Sequence, residues 1–561
     1  MKTLLFELSK QYDSDEFYNY SPFVYYKRFY SDILSIIDDY GITGNYTFQS
    51  TIMVNIASLQ VDTISFVKTD TLEDCQTQTG SFFWNYSEQK LYIHFSNNDR
   101  QLDKEILVGV ILGFSNTYNE TTENFYNSIL YDERLVSVSN PKKAVDPLFF
   151  GKLKYNNGSA KFINTDGYFD KWRDGNYYGT DCRILYSDTG NDYNDFLEIG
   201  SGFVSDDSTT ATDFTITIDD PRKGLEQPVA TNNLTADEFA SLPDDSADEV
   251  KPVTYGKVYY RKCILVNDTT HQYLFCDTEF NEPSSLDAIR NDTGTLAAST
   301  TSLSTGTFTL AAASASDVFA SFTMPIVNGV EIIKDLMLNY DNKNYISAFW
   351  DITEVDAAKA LCTNTSYYDN EGDKLSDAIE SICFDCDLRM FIKDNGVYTI
   401  RKYDVDRVPV TSILWDDWID DFSVKNTASE YLTDCTVQYQ RDDFKDGYRK
   451  RYKNSDYRTI AYDRYKKYKA KNFESGLYEL TAATAKSETI MQFSSDISDI
   501  IERTVNWNFI DLELCDFVYA SPKTRVHNAE NETLSIYEII GITKDLDKKQ
   551  IKLTLKYIKE S

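Results

Sequence analysis

The chain has 561 residues and a formal charge of −33, from 89 acidic against 56 basic side chains. Its length fits about three to five domains. The acidic balance excludes a protein that coats itself in nucleic acid, because phosphate binding needs cationic surface. Forty-one Tyr and 33 Phe favour pleated, half-buried surfaces and broad contact areas. The fold expected is therefore mainly β, built of β-barrel or β-sandwich-like domains with a few helices and α+β character in the C-terminal half. No stretch approaches the roughly 20 apolar residues of a membrane helix. The short apolar run at the start meets acidic residues at once, unlike a secretory leader, so synthesis in a cytoplasm is expected.

Residues 1–140 read as a β unit. A hairpin is expected over 81–95, where two aromatic-rich runs flank a polar turn, followed by a buried strand over 105–114. Residues 141–235 read as a second, barrel-like β unit with short strands at 182–186, 196–199, 202–204 and 214–219. The last, Phe214-Thr-Ile-Thr-Ile-Asp219, alternates as a one-sided strand should. An acidic linker is expected over 230–250.

Residues 251–410 read as an α+β unit. Its Ser/Thr/Ala-rich tract, 293–316, is expected to be an exposed loop with one strand at 307–310. Helices are expected over 330–338, over 354–361 with Thr353 as N-cap, and over 375–386. In the last, Leu375, Ile379, Ile382, Cys383 and Cys386 share one stripe. A hairpin should follow, turning at Asp394-Asn395-Gly396. Residues 411–561 read as β-rich, with one helix near 485–503 and strands at 504–509, 517–520, 536–542 and 551–558.

Little in the sequence points to chemistry. His94, His271 and His527 are the only histidines, and neither a His-Glu-x-x-His, a Gly-x-Ser-x-Gly nor a P-loop occurs. No enzyme activity, cofactor or metal is expected. The nine scattered cysteines suit reduced, buried thiols. Cys383-Phe-Asp-Cys386 has a metal or redox spacing, but both members fall on the apolar stripe of a helix. Asp166, Asp170 and Asp174 form an acidic run that lacks the calcium-loop pattern. The one basic island spans 441–471, with twelve Lys/Arg against five Asp and six interleaved Tyr. Its residues Arg449, Lys450, Arg451, Lys466 and Lys467 suit docking onto an acidic partner. A solvated hairpin or arm, a single-stranded nucleic-acid groove and a headgroup-binding patch are the alternatives.

A family resemblance appears in order along the chain. Asn164-Thr-Asp-Gly-Tyr-Phe-Asp170 is followed by Tyr178-Gly179, Arg183-Ile-Leu185, Gly202-Phe-Val204 and Thr215-Ile-Thr-Ile-Asp-Asp220. Then come Lys251-Pro-Val-Thr-Tyr-Gly256, the helix–hairpin at 375–401, and Asp511-Leu-Glu-Leu-Cys-Asp516. This order resembles the tail hub or baseplate hub proteins of tailed phages and phage-derived particles such as gene transfer agents. Similar segments carry Gly where Cys515 stands, which puts that turn's geometry in question. The resemblance implies a virion structural protein at the tail tip, a homotrimer around a channel, made in the host cytoplasm. The implied partners are sister subunits, a tail tube or distal tail protein, and spike or fibre proteins, with DNA only as passing cargo and no membrane insertion. Asp166, Gly167, Asp170, Gly179, Gly202 and Asp219 would be its turn and barrel positions. A receptor- or glycan-binding fibre and a particle-borne cell-wall or glycan hydrolase are the rival readings.

Overall fold

The computed structural model describes residues 129–560, apart from 140–142, 146–152, 156–157, 171–177, 188–191, 220–224, 240, 342, 344, 405, 420–422, 427–430, 496–498, 522–533 and 546–547. Before residue 129 it describes nine strands, from Thr3–Tyr12 to Phe125–Tyr126. The fold is mostly β. Among the described residues five helices occur, which we label α1 (Gly329–Asp341), α2 (Ile352–Leu361), α3 (Leu375–Asp385), α4 (Arg458–Tyr465) and α5 (Leu480–Ser494).

Seven strand segments close a ring. Thr3–Tyr12 lies antiparallel between Ile106–Ser115 and Asp181–Ser187. From there the pairing runs through Leu197–Thr209, Asp213–Asp219 and Gly158–Ile163 to Leu135–Ser139. Leu135–Ser139 continues, across a turn at Glu133 and Arg134, from Ile129–Asp132, which pairs with Ile106–Ser115. One bent segment thus joins both ends of the sheet, and strands from either side of residue 140 share it. The ring is thereby nearly closed, joined at this point by two residue pairs, Tyr131 with Gly113 and Asp132 with Phe114. Interior positions alternate along each strand: Ala160 and Phe162, Ile184 and Tyr186, Phe214, Ile216 and Ile218 are all buried together.

Two features bend the ring shut. The expected pair of short strands at 196–199 and 202–204 is one strand of 13 residues, Leu197–Thr209. Register shifts between Ile184 and Leu185 and between Val204 and Asp206 curve it. A side chain at Gly202 would stand 2.3 Å from the Asp219 carbonyl oxygen, so this crossing needs glycine. The second feature is a corner at 164–170 that drives Phe169 into the barrel. Phe169 is fully buried and stacks on Phe214 with ring centroids 4.6 Å apart.

The helices and hairpin of the middle region share a second core. Val330, Ile333 and Leu336 of α1 pack with Val355 of α2, Leu375 and Ile382 of α3, and Met390 and Ile400 of the hairpin Leu388–Ile392/Tyr398–Lys402. Cys383 and Cys386 are buried there, as their stripe implies. Gly396 takes φ +76° in the expected Asn-Gly turn. Three expectations need correction. The cap of α2 is Asp351, whose carboxylate accepts the Glu354 N–H at 3.2 Å; Thr353 already lies inside the first turn. The strand expected at 307–310 forms, but the rest of the 293–316 tract is not all loop: Gly294–Leu296 pairs with Ser285–Asn291, and Ala298–Ser302 pairs with Thr307–Leu310. The 230–250 segment is folded: Asn233 bridges to Val250, and Leu234 packs on Val266 and Leu274.

The C-terminal sheet is built on the hairpin Ser535–Asp545/Gln550–Glu560, flanked by Asp499–Asn506. The helix expected to reach 503 stops at Ser494. From Asp499 the burial period becomes two, with Ile501, Arg503 and Val505 inward, and the segment is a strand. Asn506 then caps a short 3-10 turn, Trp507–Phe509, where a strand was expected. Lys143–Val145 adds a strand to this sheet, and Trp507 meets Tyr186 of the barrel edge-on at 5.2 Å.

Buried charges tie the middle hairpin to this sheet. Arg389 and Glu538, 3% and 1% exposed, pair at 3.1 Å, and Arg401 pairs with Asp516 at 2.8 Å. Asp394 receives Lys143 at 2.6 Å and also Lys544. Burial works against its charge, but the two ammonium groups outweigh burial and hold its carboxyl below the usual range. Asp385 is the opposite case. Its Oδ2 accepts from Thr365 and Gly476 at 2.8 Å each, its Oδ1 has no hydrogen-bond partner, and burial raises its pKa to about 7.

Two outcomes follow for stability. Phe169→Ala removes the plug and should cost about 3–5 kcal/mol in urea unfolding; a loss under about 1 kcal/mol would mean that the barrel does not depend on it. Asp385 binds its proton more tightly folded than unfolded. Its contribution is therefore full below the ordinary carboxyl range and lost as pH rises through about 7. The unfolding free energy measured in urea should fall between about pH 4 and about pH 7, by a few kcal/mol at most at ~1.4 kcal/mol per unit. Asp385→Asn should flatten that fall; an equal fall in the variant would assign it to other groups.

Candidate interaction surface

The basic island folds as part of a sheet, not as an arm. Asp434–Asp442 is its spine, with Gly447–Asn454 antiparallel on one side and Ala470–Glu474 parallel on the other. Asp442 caps the turn between the first two strands by accepting the Lys445 N–H, and Asp446 takes φ +47° before Gly447. Cys435, Val437 and Tyr439 face α5, where Ala483, Ile490 and Met491 complete the core. Gly447–Asn454 is the outermost strand, and among the described residues no strand pairs with its far side.

That strand carries Arg449, Lys450, Arg451 and Lys453, all exposed. The five basic residues singled out from the sequence divide into two groups. Arg449 is engaged within the chain: its Nε lies 3.7 Å from buried Asp442, and its guanidinium lies 5.0 Å from the ring centre of Tyr259. Lys466 holds φ +54° at the end of α4 and sits 3.6 Å from Asp463. Lys450, Arg451 and Lys467 are exposed and have no ion pair among the described residues.

Two acids missed in the sequence organise this face. Asp434, 1% exposed, draws Arg458 to 3.2 Å and Lys453 to 3.7 Å, and accepts the Thr433 hydroxyl at 2.8 Å. Asp442 does the same for Arg449. Their signal was placement, since the two acids terminate a strand whose odd-numbered members Cys435, Val437 and Tyr439 are apolar. Next to the strand, Tyr462 and Tyr468 stack at 4.1 Å, and Arg458 lies 5.2 Å from the Tyr468 ring centre. Tyr468 is 60% exposed and Ile460 70%. Cations beside exposed aromatic and aliphatic surface make a protein-docking composition.

The barrel motif divides between two places: Asp166, Gly167 and Asp170 share the corner at 164–170, while Gly202 and Asp219 lie at the other end of the strand Asp213–Asp219. Arg134 grips Asp166 with two hydrogen bonds of 2.8 Å and lies 4.1 Å from the Tyr168 ring centre. That hydrogen-bonded pairing holds the Asp166 carboxyl down at about 2. Gly167 takes φ +70°, and Asp170 accepts from Asn164 at 2.9 Å. Gly179 takes φ +78° and donates its N–H to Val204 at 2.7 Å, while Gly202 lies against Asp219. Asp174 lies outside the described residues. Among the described residues no group of three or more His, Cys, Asp or Glu is placed to hold a metal. The side chains of His94 and His527 also lie outside them; His271 occupies a turn at φ +55°. Cys515 adopts φ +63°, the left-handed geometry for which similar segments use glycine.

No family model matches the chain, and no curated protein matches it. Solved structures do. The chain is similar to the 43 kDa tail protein of prophage MuSo2 from Shewanella oneidensis, at 9% identity over 76% of this chain and 94% of that one, with a TM-score of 0.38. It is similar to a tail protein from Neisseria meningitidis MC58, at 9% identity over 76% and 98%, with a TM-score of 0.36. It is also similar to a chain of the virion of a native gene transfer agent particle, at 11% identity over 60% and 92%, with a TM-score of 0.37.

Proposed function

We propose that the chain is a non-enzymatic structural subunit of a phage or phage-like tail, acting as the hub at its tip. One observation carries this reading. The segments whose order resembles tail hub proteins, from Asn164 to Asp219, fold into a corner and consecutive strands of one closed barrel. In this reading the barrel supplies a rigid wall, sister copies form a trimeric ring, and the cationic edge docks onto an acidic neighbour such as a sister subunit or tail tube protein. The acidic balance of the chain keeps passing DNA from adhering.

A second reading, a glycan-binding tail fibre, has one cleft in its favour. It measures about 530 Å³ and is lined by Tyr273, Tyr368, Leu265 and Asp317 among others; aromatic rings beside polar groups suit a sugar.

Mass measurement of the intact chain separates the two. A hub subunit should assemble alone or with its tube protein; a monomer that binds soluble glycan would support the fibre. Reversing charge at Lys450, Arg451 and Lys467, the three without internal ion pairs, should leave folding intact and lower incorporation into particles by about tenfold at physiological salt. Normal incorporation would remove the cationic edge from the assembly mechanism.

A further inference from the structure

The Cys383-Phe-Asp-Cys386 spacing does not join its own two members in function. Cys386, at the end of α3, instead meets Cys362, at the end of α2. Both thiols donate to the same Thr363 carbonyl, at 3.3 Å from Cys362 and 3.4 Å from Cys386. Both sulfurs crowd Gly329, the first residue of α1: a side chain there would stand 2.5 Å from Cys386 Sγ and 3.1 Å from Cys362 Sγ. Glycine leaves the space in which the two sulfurs face each other.

Their surroundings differ in a way that assigns roles. Cys362 is partly exposed, whereas the other seven described cysteines are buried. Cys386 is its hydrogen-bonding neighbour, the start of α1 at Gly329 and Val330 lies beside it, and the Lys402 ammonium adds a positive field. Against the opposing effect of burial, these hold the Cys362 thiol below its ordinary range. A helix N-terminus and a nearby cation are what make a thiol nucleophilic. Cys386 is pushed the other way, by its hydrogen bond to Cys362 and then by burial.

We propose that Cys362 and Cys386 form a thiol–disulfide exchange site that takes a low-molecular-weight disulfide such as glutathione disulfide as its oxidant. The Cys362 thiolate attacks one sulfur of the oxidant, forms a mixed disulfide and expels one glutathione thiolate, which takes the proton that Cys362 released. Cys386 then attacks Cys362 Sγ. The new bond links the two cysteines, and the second glutathione leaves with the Cys386 proton. Two protein thiols are oxidised and one disulfide is reduced to two thiols. The product ties the end of α2 to the end of α3 across the start of α1. It fixes the segment that carries Thr365 and Asp385.

The test uses the full chain in glutathione redox buffers, quenched with N-ethylmaleimide and mapped by peptide mass. A peptide linking Cys362 to Cys386 should appear under oxidising buffer, with the intact mass lower by two hydrogens. Before oxidation, Cys362 should be alkylated at least about tenfold faster than Cys383. Cys386→Ser should trap one glutathione on Cys362, and Cys362→Ser should leave Cys386 reduced. Absence of the linked peptide from the folded wild-type chain overturns the proposal, a readout that does not depend on whether either variant folds. So does an adduct of Cys386→Ser that lies on another cysteine.

Discussion

Arg389 and Arg401 leave water entirely to meet carboxylates of another sheet, and the arrangement of the C-terminal half depends on that crossing. They pair directly across the strands of one hairpin, Leu388–Ile392/Tyr398–Lys402, one register step in from its open end. Arg389 reaches Glu538, and Arg401 reaches Asp516 and Glu354. Buried ion pairs of this kind add little net stability over well-packed apolar side chains, but losing one partner leaves a charge stranded. Their effect is therefore on geometry. Both guanidinium groups find their carboxylates in this seating of the hairpin on the sheet, and the turn end adds a third condition through Asp394, Lys143 and Lys544.

The third condition reaches the barrel. Lys143 belongs to Lys143–Val145, which begins four residues after the strand Leu135–Ser139 that closes the ring. Its ammonium bonds both Asp394 and the Ile392 carbonyl, and its backbone pairs with Ile542. The chain that closes the barrel is thus pinned soon afterwards to both the middle hairpin and the last sheet. Trp507 against Tyr186 gives a second point of contact from the other direction. A barrel held at two points against a larger body is rigidly placed, as the proposed ring subunit would require.

What was legible in the sequence was local. The Asn-Gly hairpin, the stripe of α3 and the alternation of Asp213–Asp219 each depend on residues within a few positions of one another, and each formed as read. The misreadings share a cause, which is that tertiary contacts decided between local options. Residues 485–503 are compatible with a helix throughout, but Ile501, Arg503 and Val505 find a neighbour strand in Gln550–Glu560. The Ser/Thr/Ala tract before 307 looks like a loop until Gly294–Leu296 and Ala298–Ser302 find partner strands in Ser285–Asn291 and Thr307–Leu310. On the candidate surface, the basic residues were evident and their inequality was not. Which of them is free depends on Asp434 and Asp442, whose burial only the sheet creates. The Cys362–Cys386 contact was invisible for the same reason, because the nearer Cys383 offered the familiar spacing.

The cationic edge has two physical explanations that are not exclusive. An outermost strand exposes unpaired backbone groups, and lysines along it prevent edge-to-edge aggregation. For that purpose alone any row of like charges serves, including acids, which this chain has in excess. Choosing cations in a chain of charge −33 has a further consequence: copies of the chain, acidic over most of their length, are attracted to that edge while being repelled elsewhere. Like charge along the strand excludes a second copy of the same strand. Opposite charge elsewhere admits a different face of a neighbour. Under the proposed hub reading, an edge that rejects itself and accepts another face would make head-to-tail contacts, the kind that close into rings when the rotation between neighbours permits.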